Sequence, residues 1–153
     1  MAKQFEIVRL PLILTIQFKR FMKDGFTQKK QNYVDFELKN LNLGKYAKVC
    51  NGQLNRYNDY QLYAVCNHFG TMEGGHYIAN CYSQVYNRWY KVRELILTDR
   101  EFFTNYHMLY QISIGWLIPS FISLQYDDNE VFEIEESTVK SGAAYILFYS
   151  SIN

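Results

Sequence analysis

Residues 5–21 read FEIVRLPLILTIQFKRF, and within them Leu12, Leu14, Ile16 and Phe18 alternate with Ile13, Thr15, Gln17 and Lys19. A period of two with one greasier face predicts a half-buried strand. Pro11 has no N–H and fits best at the strand's start. The stretch KDGFTQKKQN is polar and turn-rich and predicts a hairpin loop, after which YVDFEL (33–38) alternates again. Residues 40–59 carry Asn and Gly at short intervals and read as loop with one helical turn. YQLYAVCNHF (60–69) is a strand, with Leu62, Ala64 and Cys66 expected on one face. GTMEGG is a glycine loop, HYIANCYS (76–83) a strand, QVYN a turn and RWYKV the returning strand. Near the end, EIEESTVKS suits a short helix. AAYILFYSS is apolar on both faces and reads as a central closing strand. The pattern is that of an α+β domain, mainly antiparallel and short of helix.

One segment breaks this pattern. Residues 102–125, FFTNYHMLYQISIGWLIPSFISLQ, contain no charged side chain. Their length approaches that of a membrane span. Asn105, His107, Gln111, several hydroxyls and Pro119 argue against one, so no membrane span is expected.

Composition narrows the function classes. The chain has 153 residues, the size of one compact domain, and 48% of them are hydrophobic. A net charge of +1 supplies no field for nucleic acid, and none is expected as a partner. Cys50, Cys66 and Cys81 are an odd set without a CxxC pair, which points to a reducing, cytoplasmic compartment.

Candidate chemistry gathers in CNHFGTMEGGHYIANC, residues 66–81. Cysteines of this kind on strands most often pack in cores. A metal site would need Cys66, His68, His76 and Cys81 together. Side chains five apart on a strand diverge, however, so no metal is expected. A catalytic reading needs only His76. The glycine pair before it lets a backbone approach closely, and a histidine opening a strand can be held as a general base.

The string formed by Tyr60, Leu62, Ala64, Val65, His68, Gly70, Gly75, His76 and Tyr77 resembles the histidine box of the ubiquitin-specific proteases. These are papain-like cysteine deubiquitinases. Leu10-Pro11 with FKRF (18–21), Trp89 and AAYILFY (143–149) resemble further family landmarks in the same order. Within the family, the wording is nearest to the endosome-associated member carrying MIT and rhodanese-like domains.

The resemblance implies the antiparallel palm half of a papain-like cysteine protease fold. It implies ubiquitin and ubiquitinated proteins as partners, and cleavage after ubiquitin's C-terminal glycine. His76 would take the proton of a nucleophilic thiol and Asp127 would orient its imidazole. His68, Phe69, Gly70, Gly74, Gly75, Tyr77 and Trp89 would line the channel for ubiquitin's tail. No cofactor takes part in the family's chemistry. The family's cysteine box lies upstream of everything matched here, so the missing N-terminal half of the catalytic domain is an expected partner. An inactive ubiquitin-binding or scaffold fragment is the alternative. An endosome-associated location is a further expectation.

The family pattern W-x-K-F-D-D is interrupted after Trp89-Tyr90-Lys91, and Tyr126-Asp127-Asp128 follows only after the anomalous segment. Residues 91–93 can be encoded with an in-frame splice donor, and residues 119–125 as a pyrimidine-rich run ending in an acceptor. The expected organisation is therefore 1–91 plus 126–153 as catalytic-domain sequence. Residues 92–125 are then an insertion of retained-intron origin. A genuine family insertion competes with that reading, because lengthening a loop costs little. Strands 76–83 and 88–92 should turn near residue 85, setting position 76 against positions 93–95.

Overall fold

The computed structural model describes residues 6–24, 26–47, 57–71, 74–93 and 131–152. Among the described residues, nine strands follow in order: β1 (Ile13–Gln17), β2 (Phe21–Asp24), β3 (Phe26–Lys29), β4 (Leu41–Asn42), β5 (Asp59–Gly70), β6 (Gly75–Ser83), β7 (Arg88–Arg93), β8 (Val131–Ile134) and β9 (Ala144–Ser151). The main sheet runs β1-β9-β5-β6-β7-β8, with β4 on β5, and β2 and β3 form a separate ribbon. Every named strand pair is antiparallel.

The closing strand is central, as its two apolar faces predict: β9 lies between β1 and β5. Leu147, Phe148 and Tyr149 are all buried there. β5 is buried continuously from Leu62 to His68, because it has strands on both edges and side chains over both faces. Each fully buried Leu or Val of this kind stabilises by about 1.5–3 kcal/mol.

A bulge corrects the expected alignment of Leu62, Ala64 and Cys66. Leu62 faces Tyr149 and Ala64 faces Phe148, so Tyr63 is an extra residue on β5. A bulge reverses the side-chain alternation beyond it. Leu62 and Val65 therefore join Tyr60, Trp89, Leu147 and Tyr149 in one core cluster, while Ala64 and Cys66 join Ala79, Val92 and Phe148 in the other. A second shift, at Tyr145 on β9, follows three residues later along β5.

Three other expectations change in detail. The stretch expected to be a hairpin loop after β1 is itself a ribbon, with Phe21 opposite Lys29. Residues 33–38 alternate but pair with no strand. Phe36 and Leu38 still pack into the core, and the Leu38 carbonyl accepts from the Leu62 N–H at 2.9 Å. The short helix shrinks to a 3-10 turn at Glu136–Thr138, and another such turn spans Gly44–Tyr46. Among the described residues, no helix is long and apolar enough to cross a membrane. The uncharged segment 102–125 and Cys50 lie outside the described residues.

Candidate functional site

The β5–β6 hairpin carries both histidines of the motif. Its register pairs His68 with Tyr77, Phe69 with His76, and Gly70 with Gly75. Directly opposed residues share a face and successive residues do not. His68 and Tyr77 thus stand on one face of the hairpin, and Phe69 and His76 on the other. Cys66 and Cys81 lie on the His68 face, opposite Ala79 and Ala64. His76 and Cys81 point away from each other.

The two histidines differ in environment. His68 is buried at 3% exposure. Its ring lies 4.7 Å from Tyr77, 5.2 Å from Phe21 and 6.2 Å from Tyr145. Burial, with the Lys29 ammonium adding to it, holds its imidazole down at about 4. It is a neutral ring in an aromatic box. Its Nδ1 is buried without a partner among the described residues. His76 is half-buried, beside Phe69 at 46% exposure. The position suits a base that must meet a reacting group.

The glycines are not equivalent. A Cβ on Gly75 would stand 2.2 Å from His68 Nε2 and 2.4 Å from the Phe69 carbonyl oxygen. The buried imidazole therefore presses directly beneath the residue that precedes His76. Gly70 has φ +105°, which a side chain rarely tolerates. Gly74 is open, with nothing within 4 Å of an added Cβ. The Thr71 N–H donates to the Gly74 carbonyl at 2.9 Å and closes the loop's base. Trp89 is buried at 3% exposure, on the His76 face of the sheet, with its ring 5.4 Å from Tyr82.

Register places the returning strand. Ile78 faces Arg93 and Tyr82 faces Trp89, so the turn centres between residues 85 and 86. Arg93 is thus diagonal to His76 along the sheet. Asp127, expected to orient the imidazole, and Glu94 lie outside the described residues. Cys66 is buried, and burial, with Cys66 adding to it, pushes the Cys81 thiol up to about 12. Cys81 thus lacks the lowered pKa of a nucleophilic cysteine.

Sequence reasoning gave no role to two cations, Lys29 at the base of the loop and Arg20 beside the start of β9. Lys29 Nζ donates to the His68 carbonyl at 2.5 Å and to the Gly70 carbonyl at 3.3 Å. Arg20, buried at 3% exposure, donates from Nε to the Ala144 carbonyl at 2.6 Å. Its Nη1 serves the carbonyls of Lys30 at 2.9 Å and Asn32 at 3.0 Å. Only the FKRF resemblance marked Arg20, and nothing local marked Lys29.

The family profile described as ubiquitin carboxyl-terminal hydrolase matches residues 2–149. The chain belongs to this family. The hydrolase 8 of Arabidopsis thaliana is 34% identical over 151 residues, covering 98% of this chain and 13% of the relative. The hydrolase 2 of Gallus gallus is 31% identical over 150 residues, covering 97% of this chain and 31% of the relative. The fold is also that of the Ubp8-Sgf11-Sgf73-Sus1 SAGA DUB module, at TM-score 0.63 and 24% identity over 99% of this chain and 28% of that one. A structure of the Ubp8/Sgf11/Sus1/Sgf73 DUB module bound to ubiquitin aldehyde matches at TM-score 0.62 and 25% identity, over 98% of this chain and 26% of that one. The chain thus spans 13% of the length of the Arabidopsis hydrolase 8. The mainly antiparallel sheet is the part of the family's fold that these residues build.

Proposed function

We propose that this chain is the histidine-bearing part of a cysteine-type deubiquitinase that cleaves after ubiquitin's C-terminal glycine. The observation that carries the reading is the half-exposed His76 at the end of a glycine hairpin, held from below by a buried neutral imidazole. His76 takes the thiol proton of a nucleophile supplied by another part of the catalytic domain, then protonates the leaving amine. Phe69, Gly70, Gly74 and Tyr77 surround the route of ubiquitin's tail. His68 and Trp89 act from within, as supports for that surface. The wording of the first and last strands keeps the endosome-associated, MIT- and rhodanese-bearing member as the subfamily reading.

Residues 92–125 stand apart from the productive strand in this proposal. β7 and β8 pair Lys91 with Phe132 and Val92 with Val131. With 92–125 removed, Tyr126 takes the place of Val92 in the same register. The loop to Val131 then becomes residues 127–130, Asp-Asp-Asn-Glu, a common hairpin length. Asp127 takes the place of Arg93, on the His76 face. Sequencing the transcript across Lys91 and Tyr126 tests the excision; an uninterrupted coding run through 92–125 in the mature message would sink it.

An inactive ubiquitin-binding fragment is the second reading, favoured by the cation now at position 93. A ubiquitin probe with a C-terminal electrophile separates the two. The chain alone should not label. The full-length enzyme without residues 92–125 should label at a cysteine other than Cys50, Cys66 and Cys81. Absence of labelling there would favour the scaffold.

A further inference from the structure

β5 outruns its partner. β9 begins at Ala144, opposite Asn67, whereas β5 continues to Gly70. In an antiparallel ladder a residue's N–H and C=O point toward the same neighbouring strand. The His68 N–H donates to the Ala143 carbonyl at 2.9 Å, on the β9 side. The reciprocal bond is not made, because the Ala143 N–H donates to Ser141 Oγ at 3.3 Å instead. The carbonyls of His68 and Gly70 therefore point past the end of β9, where a sheet would leave them unserved.

Lys29, the last residue of β3, fills the gap. Its ammonium accounts for both carbonyls, at 2.5 Å and 3.3 Å. Phe21, paired with Lys29 across the ribbon, sets its ring edge-on to His68 at 5.2 Å and to Tyr145 at 5.3 Å. The ribbon thus grips one segment twice, through its backbone and through the imidazole. That imidazole lies under Gly75, next to His76.

We propose that Lys29 is a positioning residue for His76. It replaces the missing ladder bonds at the end of β5 and so holds the β5–β6 hairpin, and His76 on it, in one geometry. The ammonium is suited to this. It offers three donors to a pair of carbonyls two residues apart, and charge-assisted bonds are stronger than neutral ones. This inference rests on the reading of His76 as the base, but its structural half can be read without activity.

Amide hydrogen exchange of the intact chain gives that first readout, with Lys29→Met keeping the stem and removing the charge. Exchange should quicken by about tenfold or more at residues 68–71 and 74–77, stay unchanged in β9, and be restored in Lys29→Arg. Unchanged exchange at the hairpin, or equal quickening everywhere, would overturn the clamp. Lys29→Gln, which keeps a neutral donor, serves if the Met variant does not fold, and should lie between the two. The second readout is steady-state kinetics of the full-length enzyme. Lys29→Met should lower kcat with KM unchanged, and Lys29→Arg should recover it. A changed exchange pattern with unchanged kcat would overturn the link to His76. An active His76→Ala enzyme would instead overturn the reading of the base and leave the clamp standing.

Discussion

The two faces of one hairpin give its two histidines opposite surroundings. Seven residues separate His68 from His76, and a glycine loop turns the chain between them. The face with His68 is closed by Tyr77, Phe21 and Tyr145, so its imidazole is held neutral and buried. The face with His76 stays partly open beside Phe69. A histidine in this motif is therefore not informative by type. Its parity along the strand decides whether it is packed or left partly open, and the turn between Gly70 and Gly75 sets that parity.

The largest test of this difference is His76→Ala in the full-length enzyme without residues 92–125. Turnover on a ubiquitin–fluorophore substrate should fall by about four orders of magnitude or more, the scale of losses from catalytic triads. Stability should move within about 0.5 kcal/mol, because the side chain is only half-buried. Retention of most activity would mean that the exposed face is not the reactive one.

A second test strikes the seam between the faces. Gly75→Ala drives a Cβ into His68 Nε2 and the Phe69 carbonyl, the latter a backbone atom that cannot move alone. The cost should be about 1–3 kcal/mol, typical of overpacking. Gly74→Ala meets nothing within 4 Å and should cost less than about 0.5 kcal/mol. Urea midpoints of the two variants check the contrast. Equal midpoints would show that His68 does not press on the loop.

The same contrast marks what could be read from sequence. Strand-forming runs bounded by glycines or turn residues were legible, so β5, β6 and β7 lie where the pattern predicts them, as does β9 from its apolar run. Within β5 the face assignment was not legible. Tyr63 carries no glycine or proline to announce a bulge, and its extra residue follows from pairing with β9 far along the chain. Residues 33–38 misled for the opposite reason. Phe36 and Leu38 face the core with strand-like spacing, but no ladder forms: the Leu38 carbonyl accepts a single bond from the Leu62 N–H, and the Glu37 carbonyl accepts from the Tyr149 hydroxyl. His68 and His76 stood out as a pair, while their division between a buried face and a partly open one needed the register. Lys29 was unreadable, because the carbonyls it serves become exposed only where β9 stops.

Acid should act through the buried histidine. With its folded pKa near 4 and an ordinary value near 6.5, His68 binds fewer protons folded than unfolded in between. Its contribution is therefore complete above the upper value and is lost as pH falls through the window. The loss is at most about 1.4 kcal/mol per pH unit. Denaturant unfolding of the chain at pH 7 and pH 4.5 should show this decline beyond what carboxylates produce. His68→Phe, which keeps a ring in the aromatic box, should flatten that share. An identical decline in His68→Phe would place the acid sensitivity elsewhere.

The smallest expected effect belongs to the two cysteines on the His68 face. They flank both histidines in sequence, the arrangement in which a thiolate would be sought. Their surroundings argue otherwise. Cys66 packs among Ala64, Ala79 and Phe148, and burial pushes the Cys81 thiol up to about 12. At pH 7.5 a thiol of that kind is almost wholly protonated, so it is neither nucleophile nor ready metal ligand. His76, which could deprotonate it, points to the other face. Cys66→Ala and Cys81→Ala should each change turnover of the full-length enzyme by less than about twofold, with any cost appearing as stability lost to a small cavity. Iodoacetamide should modify neither residue in the folded chain at pH 7.5, and both after urea unfolding. Rapid modification of Cys81 in the folded state would mean that the packed face opens, and the division between the two histidines would then be one of degree.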